Sequence, residues 1–162
     1  MYGSYCERIV NYVVIDLPEY SEYTEAFYNE SFLREVFELM IDIWKPDRGR
    51  IQNWDLVEKT GQVEEPIGLD ADASIEDMLA IDDDKASQPQ LDVGWLTYLS
   101  SKYGSLPSLP DWASISHIEN RGSIVSSGEQ IACAGVEEDV RRVRALFEIL
   151  NPFYVNALKF IE

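Results

Sequence analysis

One histidine, two cysteines and thirty carboxylates are the residues of this chain that could do chemistry, so a reactive centre would have to be built mainly from acids. Asp70, Asp72, Ser74 and Glu76 alternate as the ligands of a calcium loop do. Such a loop needs glycine at its sixth position for a sharp turn and a bidentate glutamate at its twelfth. Counted from Asp70, those positions hold Ile75 and Ile81, so the register fails. Asp82, Asp83 and Asp84 could hold a divalent ion loosely. Three adjacent acids on a regular element cannot all point at one site, and a solvated charge run is the simpler reading. His117 stands in Ser114-Ile115-Ser116-His117, with no G-x-S-x-G elbow. On a strand, His117 and Ser116 would face opposite sides, which favours a structural histidine over a base paired with a nucleophile. The glycines at 94, 104, 122, 128 and 135 form neither a P-loop nor G-x-G-x-x-G. Cys6 and Cys133 lie far apart with no zinc-type spacing. The expectation is no catalytic set, no metal and no other cofactor. A metal-dependent hydrolase using a carboxylate cluster stays as the alternative, since thirty acids guarantee chance pairs. An acidic adaptor is a second.

Interaction is the chemistry that remains. Glu19, Tyr20, Glu22, Tyr23 and Glu25, followed by Phe27 and Tyr28, combine large flat side chains with negative charge. Tyrosine makes a good interface anchor, and surrounding acids steer a basic partner. The competing reading packs Tyr20, Tyr23 and Phe27 under the next helix. Asp70, Asp72, Asp82, Asp83 and Asp84 form a second candidate contact surface.

The elements that would position these residues follow from periodicity. Ile9 to Asp16 is β-branched and aromatic, which predicts a strand with both faces largely covered, ended by Leu17-Pro18. Phe32, Leu33, Val36, Phe37, Met40, Ile43 and Trp44 recur at three- and four-residue steps. They predict one apolar face on a helix from about Ser31, as its cap, to Trp44. Arg50 to Trp54 suggests a short strand after a turn. Residues 55–92 hold twelve acids and two lysines, a local balance of −10, and suggest an acidic, exposed insertion with a short helix near Ser74–Ile81. Val93 to Ser100 predicts a strand carrying Trp95 and Tyr98 in or near the core. Residues 112–119 and 122–127 predict a hairpin turning at Asn120-Arg121-Gly122. Val136 to Leu150 predicts a helix with acids in its first turn and i,i+4 pairs Glu137–Arg141 and Glu138–Arg142, interrupted at Asn151-Pro152. This pattern is an α+β fold: one domain over 1–162, an antiparallel sheet with helices packed mainly on one face in two layers, and an acidic insertion at about 55–92.

The bulk charge points the same way as the interacting residues. Thirty acids against thirteen bases give a formal net charge of −17. That field repels phosphate, so nucleic acid and anionic membranes are poor partners, and it attracts basic surfaces. Solubility alone also accounts for an acidic chain. No apolar run approaches the roughly 20 residues that span a bilayer, and the first residues do not resemble a secretory signal. A cytoplasmic protein is expected, with a homodimer left open.

Taken together, these strings resemble the immunity protein 52 family. They are Val14-Ile15-Asp16-Leu17-Pro18, a helix closing on Trp44-Lys45-Pro46-Asp47, and Val93-Gly94-Trp95-Leu96-Thr97-Tyr98-Leu99-Ser100. Leu106-Pro107 with Leu109-Pro110, Gly122-Ser123-Ile124-Val125 and a terminal helix complete them. The likeness spans roughly residues 10–150, and the Gly94–Ser100 string is its most specific part. It implies a protein that binds and neutralises a cognate toxin. Such a toxin is typically a restriction-endonuclease-like nuclease effector delivered between competing bacteria, as by type VI secretion. It assigns no binding residues.

Overall fold

The computed structural model describes residues 11–18, 25, 28–62 and 90–161. Chain order is β1 (Tyr12–Leu17), α1 (Glu30–Trp44), β2 (Arg48–Asn53), α2 (Trp54–Lys59), β3 (Leu96–Ser100), a 3-10 turn (Ser101–Tyr103), β4 (Ser114–Ile118), β5 (Gly122–Ser126) and α3 (Glu137–Leu158). The strands form one open five-stranded sheet in the order β1-β2-β3-β5-β4. The expected α+β class is what the chain adopts.

Two details of the expected architecture are corrected. The sheet is mixed: β3 pairs antiparallel with β2 and β5, as β4 does with β5, but β1 pairs parallel with β2. Parallel neighbours need a long crossover, and α1 supplies it between β1 and β2. The helices also divide between the two faces. A Cβ added at Gly49 would lie 3.2 Å from the Phe37 ring, so that face of β2 lies under α1. Arg48 projects from the other face, and its guanidinium lies 5.2 Å from the Tyr154 ring of α3. The central strand is therefore buried on both sides, from Leu96 to Leu99.

β1 is an edge strand among the described residues. Val13 and Leu17 are buried while Tyr12 and Asp16 are exposed, so only one face is fully covered. Its apolar run nevertheless suggested cover on both.

α1 starts one residue earlier than expected. Asn29, not Ser31, is the cap, its side-chain oxygen accepting the Phe32 N–H at 2.9 Å. The helix ends at Lys45 in the left-handed conformation, before Pro46. Its inward residues are Leu33, Phe37 and Ile41. Phe32, Ile43 and Trp44, expected inside, are more than half exposed, as is Leu39. The apolar arc of α1 is wider than the sheet beneath it can cover.

The acidic stretch begins as a helix and ends in coil that is partly buried. Residues 54–59 form α2, with Leu56 and Val57 buried and Asp55 and Glu58 outward. Leu91 and Val93 are also buried. The buried Gln62 side chain joins these two ends. Its amide N–H groups donate to Thr60 Oγ1 (2.8 Å) and the Val93 carbonyl (2.9 Å), and its oxygen accepts the Val93 N–H (2.5 Å). Gln90 Nε2 donates back to the Gln62 carbonyl at 2.7 Å.

α3 runs through Pro152 instead of stopping before it. The residues on either side of Pro152 pack well: Leu146, Leu150 and Tyr154 are fully buried. That burial carries the helix past the missing N–H. Asn151 uses its side-chain oxygen to accept the Leu91 N–H at 2.9 Å. The hairpin, Trp95 and Tyr98 lie where the sequence pattern puts them, with both aromatics buried.

Candidate protein-interaction surface

Glu19, Tyr20, Glu22, Tyr23, Asp70, Asp72, Asp82, Asp83 and Asp84 lie outside the described residues, as does the short helix expected at 74–81. Glu25 is described and exposed. Tyr28, next to that group, is half-buried and donates its hydroxyl hydrogen bond to the Pro18 carbonyl.

His117 lies on the exposed hairpin, its Nδ1 2.9 Å from Ser123 Oγ on the neighbouring strand. An open hollow of about 490 Å³ borders it. Ser100, Ser101, Leu106, Ile115, Glu119 and Arg121 are among the residues that line that hollow. A second hollow of about 190 Å³ holds Tyr12, Val14, Arg48, Arg50, Leu91 and Asp92. Its two cations are committed: Arg48 donates to the Gln90 carbonyl and Arg50 is ion-paired with Asp92. Burial lowers the Arg50 pKa to about 10, and the Asp16 charge opposes the shift. Among the described residues, no group of three or more His, Cys, Asp or Glu is placed to hold a metal ion.

The surface electrostatics are lopsided in a way that composition alone does not reveal. Most described cations are consumed within the fold. Lys102 pairs with Asp47 at 2.5 Å, Arg121 with Asp42 at 3.3 Å, and Arg141 and Arg142 both with Glu138 at 2.7 and 2.9 Å. The expected Glu138–Arg142 pair therefore forms, while Arg141 takes Glu138 in place of Glu137. These hydrogen bonds hold the Glu138 carboxyl below its usual pKa. Arg144 donates to the Lys59 carbonyl and Lys59 to the Ala134 carbonyl. Arg34 stacks over the Trp95 ring at 5.8 Å. In contrast, Glu30, Glu35, Glu38, Asp55, Glu58, Asp111, Glu119, Glu129, Glu137 and Glu148 are exposed and make no ion pair among the described residues. Lys45, Lys59, Lys102, Arg141, Arg144 and Lys159 are exposed too, but these ten unpaired carboxylates outnumber them and leave a negative exterior.

An open mixed sheet between helices, with unpaired carboxylates on its exterior, defines an acidic α+β protein. The chain belongs to the Immunity protein 52 family, whose model matches residues 68–151. That match contains the Gly94–Ser100 string and both hairpin strands; the strings at 14–18 and 44–47 lie outside it. No curated protein and no solved structure matches the chain. No helix among the described residues is long and apolar enough to cross a membrane.

Proposed function

We propose that the protein is the immunity partner of a nuclease toxin delivered between competing bacteria, as by type VI secretion. It binds that toxin in the cytoplasm and blocks or distorts its active site. The observation that carries this reading is the excess of exposed negative charge: ten exposed carboxylates make no ion pair among the described residues, more than the exposed cations there. A nuclease holds a polyanion, so its working groove is cationic, and an acidic protein competes for that groove. The same field disfavours nucleic acid and anionic membranes as partners of this chain. Membership of an immunity family supports the role, and the nuclease class is the extension drawn from charge. Glu19, Tyr20, Glu22, Tyr23, Glu25 and the acids at 70, 72 and 82–84 remain proposed contacts.

Co-expression with the toxin encoded beside its gene tests the proposal. The expected result is restored growth, a stable complex on gel filtration and loss of DNA cleavage in vitro. Continued toxicity with no complex would refute it.

A further inference from the structure

We propose that the outward apolar stripe of α1 seats the toxin, with the acids beside it meeting basic side chains on the toxin surface. This rests on the immunity reading and names the face that performs it. The stripe is Phe32, Val36, Leu39 and Ile43. Their spacing of four, three and four residues keeps them within about 60° of one line along the helix, over roughly 16 Å. Phe32, Leu39 and Ile43 are 59 %, 57 % and 60 % exposed, and Val36 is partly exposed. Singly exposed apolar residues are ordinary, but four in a row on one helix face are not.

The stripe is separate from the helix's own packing. Leu33, Phe37 and Ile41 point into the core. Arg34 over Trp95, just before β3, and Asp42 beside Arg121, in the β4–β5 turn, mark the flank turned toward those segments. The stripe lies on neither side. Along its border run Glu35 and Asp42, with Glu38 one step further round. Glu35 and Glu38 have no ion pair among the described residues, and Asp42 remains largely exposed beside Arg121. The helix carries four acids, and its single cation, Arg34, is stacked on Trp95.

That combination selects the occupant. A second copy would bring two rows of carboxylates together, on chains of −17 each, and like charges would repel. A membrane surface bearing anionic lipid is disfavoured for the same reason. What fits is a protein surface with an apolar centre and a rim of lysine or arginine, the complement of the stripe and its border.

Phe32→Gln, Leu39→Gln and Ile43→Gln combined replace exposed apolar side chains with a good helix former. The expected melting temperature is within about 3 °C of wild type, and toxin affinity falls at least about 100-fold, mainly through faster dissociation. Glu35→Lys with Glu38→Lys slows association about tenfold and flattens its salt dependence. Wild-type affinity and rescue by the triple variant would overturn the proposal. So would a melting temperature lowered by about 10 °C or more, which assigns the stripe to the protein's own packing. A dimer of the free protein that the triple variant dissolves would also overturn it. Failure of the wild type itself to bind the toxin would instead strike the immunity reading.

Discussion

At the residue scale, backbone approach and burial decide which side chains are tolerated. Gly94 opens the string most specific to the family resemblance, and the structure supplies a reason for glycine there. A Cβ at position 94 would lie 2.1 Å from the Ile51 carbonyl oxygen, closer than any side chain can sit. Gly94→Ala should therefore force β3 off β2 and cost roughly 3 kcal/mol or more, read by chemical denaturation. Tyr103 and Tyr154 meet edge to face at 5.1 Å, both hydroxyls buried with no hydrogen-bond partner among the described residues. Burial, then the neighbouring tyrosine, pushes the Tyr103 pKa well above its ordinary value. Tyr98 is raised by burial too. For an acid with a raised folded pKa, the stability is full below the unfolded value near 10 and is lost as pH rises past it. Thermal melts from pH 8 to 11 should show stability declining above about pH 10, with a smaller decline in Tyr103→Phe. At neutral pH that variant should be neutral or slightly stabilising, because it removes an unsatisfied hydroxyl.

At the element scale, α1 shows what periodicity can and cannot say. The three- and four-residue recurrence correctly marks a helix ending at Trp44. It cannot divide a broad apolar arc into a half that meets the sheet and a half that does not. That division depends on where β1 stops the sheet, a fact of topology. The parallel β1–β2 pair is not legible for a related reason: the short strand expected at Arg50–Trp54 is β2, Arg48–Asn53, but a polar hexapeptide with two arginines carries no period that names its neighbour or direction. Those arginines survive there because Arg48 stacks on Tyr12 and Tyr154 and Arg50 meets Asp92. The cap moved from Ser31 to Asn29 because either residue can accept an N–H and only the backbone path decides. Asn29→Ala should cost about 1 kcal/mol, and Phe37→Ala, at the centre of the buried face, about 3–5 kcal/mol. Urea titration of the two variants checks both. The distinction matters for the site, since the inward row is structural and the outward row is free for a partner.

At the scale of the whole molecule, net charge was legible from composition, but its direction was not. The bases occur throughout the chain, and nothing in their order announces that the fold would spend them on carbonyls, aromatic rings and a few acids. The residues that the sequence marks for contact lie almost entirely outside the described part, while the periodicity of α1 counts Phe32, Val36 and Ile43 into its inward face and leaves Leu39 out, so it does not single out the exposed stripe. A chain of −17 also repels itself. Raising sodium chloride from about 0.05 to 0.5 M should raise the melting temperature of the free protein while slowing its association with the toxin about tenfold. Scanning calorimetry and stopped-flow mixing would follow the two opposite trends in one buffer series.

The hydrogen bonds of Gln62 with Val93 and Gln90 tie the end of α2 to the approach to β3. Entropy of closure changes only slowly with the number of intervening residues. A change in the number of residues between those two anchors would thus alter the cost of closing the chain there only slightly.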